Sequence, residues 1–366
     1  MPVAWEPRQQ SQTSTVDETD QFEIVDQDLV DLIRKGGVTL IGRPEAGKSM
    51  LLGSLMRQGG DSLHSFAHIK PHFTPGAVHH GQQASIDELI GLMHRFVQGS
   101  AFPATYKHKV LNYYVSLVCD DETPVPRSRW SWRSTPPIKR SAEIVITDAA
   151  GGIIMGETIG NQDRDEQLIA SGFAEIVRAS RGIVFCLPAD TTGLALDAEY
   201  KQTQVIDSLV RNESIDLQRI VVCLTKYEAL FADFGCEAMD KALDVEEFKQ
   251  IARGKLQGRL LNSLIRLARS GRAGHGNNKV EVCVAPASAY GFVRHNGGVN
   301  FNPRTGRLLV ESGRALPAHP RSSVPLPYYA DDHALRYWQP FFVVDPFVYA
   351  AFGDKGRLTV DVTELE

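Results

Sequence analysis

Eight residues, Gly42-Arg43-Pro44-Glu45-Ala46-Gly47-Lys48-Ser49, constrain this chain more than any other stretch. They read G-x-x-x-x-G-K-S and lie between an apolar, strand-like run, Val38-Thr39-Leu40-Ile41, and a helix-like run from Met50 to Met56. That strand–loop–helix setting is what the motif's chemistry requires. The glycines let the backbone curl so that successive N–H groups point at one place, and the helix N-terminus adds partial positive charge there. A chain of phosphates fits such a cradle. Glu45, Ala46, Gly47, Lys48, Ser49 and Met50 are therefore candidate nucleotide contacts. Lys48 would reach the β- and γ-phosphates and the Ser49 hydroxyl would ligate Mg²⁺. The loop alone leaves ATP and GTP both open.

With 366 residues the chain has room for one enlarged domain or two. Apolar content of 43% and charged content of 23% are ordinary for a globular protein with a sizeable core. A net charge of −5 exerts no global pull toward nucleic acid or anionic membrane. Residues 1–20 are polar and acidic, which predicts a disordered tail and excludes a secretory leader. No apolar run approaches the ~18 residues of a membrane helix. Four of the five cysteines sit in or beside apolar strand-like runs with no paired metal-ligand spacing, as expected of buried thiols in a reducing compartment. These features point to a cytoplasmic protein.

The expected organisation is a nucleotide-binding domain over 21–292 with an insert at 59–104. Residues 293–366 add a loop excursion and a closing C-terminal helix of the same domain. Phe22 to Lys35 suits a short amphipathic helix. The insert holds His64, His68, His72, His79, His80 and His94, but without the carboxylate and helix context of a metal site. Within it Ser85 to Gln98 predicts a helix, with Ser85 and Glu88 forming a capping box. Strands are predicted at Lys109–Val118 and Ala142–Thr147. The link from Arg127 to Arg140 carries five cations with Trp130 and Trp132, a composition that can bind single strands but more commonly marks a solvated or protein-docking loop.

Helices and apolar strands then alternate: Asp163–Ser180 helix, Gly182–Leu187 strand, Leu194–Asn212 helix, Arg219–Thr225 strand, Val245–Ser270 long helix, Val280–Pro286 strand. The pattern predicts an α/β domain with a mostly parallel sheet. A hairpin is expected near Thr305-Gly306. Ala334 to Phe352, interrupted by Pro340 and Pro346, suggests a broken final helix followed by a short tail.

Three further stretches narrow the choice of nucleotide. Asp148-Ala149-Ala150-Gly151 follows a strand and reads D-x-x-G. An Asp there can hold Mg²⁺ through water, and a Gly can turn its N–H onto a γ-phosphate. Thr225-Lys226-Tyr227-Glu228 follows the strand RIVVCL, and Ser288-Ala289 follows VEVCVAP. Together with the phosphate loop, in this order, the set resembles P-loop GTPases of the translation-factor-related, Ras-like class over roughly residues 36–292.

The resemblance implies a three-layer Ras-like G domain with an insert before the second strand. It also assigns roles: the Thr225, Lys226 and Glu228 element reads guanine, and Ser288 and Ala289 support guanine O6. Ser49, Thr105 and Asp148 are the expected Mg²⁺ ligands, with Lys48, Thr105 and Gly151 carrying catalysis. Thr105, in Phe102-Pro103-Ala104-Thr105, is the first-switch threonine, with Thr74 in reserve. The insert, the Phe-Pro-x-Thr switch and the closing Val343–Tyr349 run are similar to bacterial double-GTPase families of conflict-type or GTPase-associated gene systems. This finer likeness implies a switch read by partner proteins in bacterial defence.

Two departures from the family pattern bear on function. Glu228 stands where the family has Asp, so the carboxylate reaches one methylene further and guanine preference weakens. Gly152 stands where many such enzymes place a water-orienting Gln, which predicts slow intrinsic hydrolysis unless Gln162, Arg164 or a partner supplies the group. The expected function is a switch that binds GTP or GDP with Mg²⁺ and hydrolyses GTP slowly. Two alternatives are a nucleotide-dependent binding scaffold with little turnover and a P-loop ATPase.

Overall fold

Strands that are apolar at nearly every position are stable only where both of their faces are covered. Gly182–Pro188 and Val38–Gly42 are buried at every position, and Arg219–Thr225 at all but its first. The computed structural model describes residues 37–42, 46–58, 66, 69–75, 110–121, 138–149, 177, 179–189, 217–228, 230–231, 238–270, 280–293, 301–302, 307–309, 315–318 and 338–366. Outside these lie the 1–20 segment, the stretches Phe22–Lys35, Ser85–Gln98 and Leu194–Asn212 expected to be helical, and all of the 127–140 basic link except 138–140, which belong to a strand. Glu45, Thr105, Gly151, Gly152, Gln162 and Arg164 lie outside them too.

In chain order the strands are β1 (Val38–Gly42), β2 (Ile69–Pro75), β3 (Val110–Asp121), β4 (Ile138–Ala149), β5 (Gly182–Pro188), β6 (Arg219–Thr225) and β7 (Glu281–Pro286). They continue with β8 (Ser288–Val293), β9 (Phe301–Asn302), β10 (Arg307–Leu309), β11 (Ala315–Ala318), β12 (Trp338–Phe341) and β13 (Val360–Asp361). The helices are α1 (Lys48–Gln58), α2 (Ala238–Ala242), α3 (Val245–Leu256), α4 (Arg259–Ser270) and α5 (Asp345–Phe352), with a 3-10 turn at Val362–Leu365. Among the described residues no helix is long and apolar enough to cross a membrane.

The main sheet runs β1-β5-β6-β7-β13. Its first four strands are parallel and in continuous register, and β13 closes the edge antiparallel to β7. Successive residues feed opposite faces. Ile183, Phe185, Ile220, Val222, Val282 and Val284 enter one apolar cluster, covered by α3 and α4. Val184, Cys186, Val221, Cys223 and Cys283 enter the other, with Leu51, Leu52 and Leu55 of α1 and Phe347 and Val348 of α5. Each fully buried side chain of this size stabilises by about 1.5–3 kcal/mol. The result is a mixed α/β fold around a mostly parallel sheet with helices on both faces.

A second, antiparallel sheet, β2-β3-β4, lies alongside β1, and Leu117 and Cys119 of β3 enter the same core as Val38 and Leu40. The insert therefore contributes a strand: β2 pairs with β3 along its whole length, and Thr74, the reserve switch threonine, is paired with Ser116 inside it.

Other details differ from the sequence expectation. The predicted helix at 245–270 is two helices, because the chain turns at Gln257-Gly258, where Gly258 has φ 77°. Within the expected broken helix of 334–352, Trp338–Phe341 is instead strand β12, since Pro340 lacks the N–H a helix needs and sits where the β12–β8 register shifts. The expected tail is structural: Leu358, Val360, Val362 and Leu365 are buried against α3 and α4. There Arg253 donates Nε to the Leu365 carbonyl at 2.8 Å, and Arg269 pairs with Glu366. The hairpin near Thr305-Gly306 is formed by β9 and β10.

Candidate functional site

At the carboxyl ends of β1, β6 and β7 the three motif loops come together. β1 passes into α1 through the G-x-x-x-x-G-K-S loop, and two glycines shape that passage. A Cβ on Gly42 would sit 2.7 Å from the Cys186 carbonyl oxygen of the adjacent strand, a distance that forces the backbone apart. Gly47 adopts φ 81°, a left-handed conformation that costs other residues about 1–2 kcal/mol. Leu51 N–H then donates to Gly47 O at 2.9 Å, the first bond of α1.

Helices α1 and α3 begin in opposite ways. α3 is capped by its own acid, Asp244, whose side chain accepts from Glu247 N at 2.9 Å, with Glu246 and Glu247 in the first turn. α1 has no acidic residue in its first turn and places Lys48 and Ser49 there instead. An N-terminus with its dipole, an ammonium and no acid in its own first turn can take an anion. Lys48 is buried and donates Nζ to Gly42 O at 3.0 Å, so its head folds back over the loop it would share with a phosphate.

The T-K-x-E stretch is held against this loop. Thr225 Oγ1 donates to Ala46 O at 2.5 Å, and the Lys226 stem runs past Gly47, its Cε 4.0 Å from where a Gly47 Cβ would be. Lys226 adopts φ 57° without being glycine, a strained conformation that a surrounding structure must enforce. Glu228 follows in a 3-10 turn and is 93% buried, with 7% of its surface exposed. Its neighbour Tyr227 is fully buried. The ring meets Phe231 and Phe248 edge-on, at 4.9 Å and 5.8 Å, and stacks on Phe341 at 5.9 Å. Burial pushes the Tyr227 hydroxyl far above its ordinary pKa, so it stays neutral as an anchor.

Ser288 and Ala289 are brought to the same end. Ala287 N–H donates to Leu224 O at 2.9 Å and its carbonyl accepts from Tyr227 N–H at 3.4 Å, tying the S-A stretch to the T-K-x-E turn. Ala189 N–H donates to Thr225 O at 2.8 Å, which adds the end of β5. Ser288 is fully buried and opens β8 rather than ending a loop. Asp148 is the penultimate residue of β4, paired with Leu111 of β3.

Of the residues singled out from sequence, Ala46, Gly47, Thr225 and Lys226 thus lie against one another, Lys48 folds back onto Gly42 of the same loop, and Glu228 and Ser288 directly follow Tyr227 and Ala287, which are hydrogen-bonded to each other. Ser49 and Met50 continue from Lys48 along α1. The donor set expected for Mg²⁺ is all oxygen, two hydroxyls and a carboxylate, the chemistry a hard divalent cation takes. Ser49 at the start of α1 and Asp148 near the end of β4 are the described members of that set.

Sequence reasoning missed two contributors. Cys186 lies under Gly42, and its carbonyl sets the close approach that requires glycine there. Phe341 braces the T-K-x-E turn through Tyr227. A sequence signal existed for neither, because both act through pairings between distant strands. No protein-family model matches the chain, and no curated protein matches it.

Proposed function

We propose that this protein is a P-loop GTPase of Ras-like architecture that binds GTP with Mg²⁺, hydrolyses it slowly and signals its nucleotide state to partner proteins. One observation carries the reading. Two motifs 179 residues apart, the G-x-x-x-x-G-K-S loop and the T-K-x-E stretch, are joined by the Thr225 Oγ1 bond to Ala46 O. A phosphate cradle and a buried carboxylate, Glu228, then lie at one end of one sheet, where open α/β sheets bind their ligands. The parallel order β1-β5-β6-β7, with β4 alongside β1, supports the architecture.

In this reading the loop amides and the Lys48 ammonium hold the β- and γ-phosphates and stabilise charge as it develops. Ser49, Thr105 and Asp148 would hold Mg²⁺, which would neutralise phosphate charge. The Gly151 amide would contact the γ-phosphate. Water attacks that phosphorus, the bond to the β–γ bridging oxygen breaks, and GDP and inorganic phosphate result. Thr225 holds the phosphate loop, the Lys226 stem lies across it, and Glu228 accepts from the guanine N–H groups. The Ala289 amide supports O6.

The deciding experiment is competition of GTP and ATP for a fluorescent nucleotide, followed by single-turnover hydrolysis. GTP displacing the probe at lower concentration than ATP supports the proposal, and ATP winning removes it. GTP that stays intact for hours on the protein would favour the scaffold reading, which Gly152 also favours by lacking a side chain to orient water.

A further inference from the structure

Among the described residues, the two non-glycine positions with left-handed φ are Lys226, at 57°, and Phe342, at 49°. An aromatic residue at positive φ is a genuine outlier, and such strain persists only where the surroundings over-determine it. The two are 116 positions apart in sequence, yet their immediate neighbours touch. Tyr227, next to Lys226, stacks on Phe341, next to Phe342, with centroids 5.9 Å apart and planes 23° from parallel. Phe341 stacks in turn on Phe342 at 4.2 Å.

Phe341 also meets the other base-side element. It is the last residue of β12, and its partner across the ladder is Ser288, the first residue of β8. Between the pairs Gln339↔Phe292 and Phe341↔Ser288, β8 advances four residues while β12 advances two. Such a bulge bends the strand and re-aims side chains. Here the extra residues belong to β8, between Ser288 and Phe292 and opposite Pro340, and Phe341 ends fully buried against Tyr227. One residue therefore meets both elements: its ring stacks on the turn that carries Lys226 and Glu228, and its backbone pairs with the first residue of the strand that begins at Ser288.

We propose that Phe341 is a positioning residue for base recognition and that the β8–β12 ribbon is a regulatory handle on nucleotide affinity. This rests on the GTP reading above. Seated, Phe341 holds Tyr227 and keeps Lys226 in its left-handed conformation, so that Glu228 faces the base. If the ribbon splays, Tyr227 loses its stacked partner, the turn relaxes, and base binding weakens while the phosphate cradle stays intact. Coupling of this kind is reciprocal, so a bound base also holds the ribbon closed.

The test uses the full chain and three probes: GDP, GTP and inorganic pyrophosphate. Phe341→Leu is expected to weaken GDP and GTP binding about tenfold while pyrophosphate binding stays within about twofold, the size of effect usual for coupled sites. Tyr227→Leu should do the same, and the double variant should lose little more than either alone, because both remove one contact. In hydrogen exchange, GDP should slow the amides of Ser288–Val293 and pyrophosphate should not. Equal weakening of GDP and pyrophosphate, or no weakening, overturns the proposal and leaves the GTP reading standing. A native protein that binds pyrophosphate but no guanine nucleotide overturns both.

Should Phe341→Leu not fold, Phe342→Gly decides. Glycine adopts φ 49° without strain and removes the ring stacked on Phe341. The same selective loss for GDP is expected, and unchanged GDP affinity overturns the proposal.

Discussion

At the amino ends of the strands, Arg219 donates Nη1 to the Ala351 carbonyl at 3.2 Å and lies 3.5 Å from Glu281. Glu281 in turn accepts from the Tyr349 hydroxyl at 3.5 Å. Gly182 lets β5 approach so near α5 that a Cβ there would meet Ala350 O at 2.5 Å. At the carboxyl ends, Lys48 curls back onto a loop carbonyl, Lys226 is held at positive φ, and Glu228 is buried in the adjoining turn. The first end uses its charges to cap a helix and to neutralise each other. The second gathers two lysines and a glutamate around a glycine-shaped loop and accepts backbone strain. Strain lowers stability, so its presence at one end points to a role beyond holding the fold together.

If the two ends differ in this way, substitutions at each should separate stability from binding. The largest effect is expected at Gly42→Ala, which drives a methyl into Cys186 O: about 3 kcal/mol of stability lost, together with nucleotide binding. Urea unfolding and calorimetric titration would measure the two losses, and full retention of either would contradict the close approach. Next comes Lys48→Met, which should weaken GTP about 100-fold by removing a charge-assisted bond to phosphate, with the melting temperature nearly unchanged. At the amino end Arg219→Ala should show the opposite: about 1 kcal/mol of stability lost, discounted for its partial exposure, and no change in GTP affinity. A change in affinity there would blur the division.

The middle of the sheet offers a pH test. Burial pushes the Cys283 thiol from its ordinary 9.0 up to about 11, although a Tyr349 hydrogen bond pulls the other way. The unfolded chain therefore releases this proton first. The stabilisation is complete below pH ~8.5 and is lost as pH rises toward 11, by up to about 1.4 kcal/mol per pH unit for a single proton. Urea unfolding at pH 8 and pH 10 should show a loss that shrinks in Cys283→Ala, measured relative to each protein's own value at pH 8. The smallest effect is expected at Lys249→Ala. Its ion pairs with Glu246 and Glu364, both 3.2 Å, lie at the surface and are screened by solvent, so little or no stability should be lost. A larger loss would mean that the C-terminal segment is held by charge rather than by its buried Leu358, Val360 and Leu365.

Much of the sheet could be read directly. Arg219–Thr225 matches its predicted bounds and Gly182–Leu187 extends by one residue, because continuous β-branched and apolar runs leave no other stable place for them. β2 was not legible: Ile69-Lys70-Pro71-His72-Phe73-Thr74-Pro75 has two prolines and weak alternation, and it becomes a strand by pairing with β3. The 245–270 helix was read too long because its apolar stripe runs on through Gly258, and periodicity does not register one left-handed residue. The candidate site was legible as a set of motifs. Its spacing in three dimensions was not, since Thr225 finds Ala46 only after β1 and β6 are placed on either side of β5.

Sequence by itself determined the phosphate-type loop, the alternation that makes an α/β fold, and the identity of the charged residues that follow each strand. Those are local properties, set by side-chain periodicity and by where glycine must stand. Tertiary structure alone decided that the loop meets the T-K-x-E turn, that Ser288 opens a strand rather than a free loop, and that Phe341 ends against Tyr227. Each of these depends on strand order and register, and register is chosen by burial summed over the whole sheet rather than by any one stretch of residues.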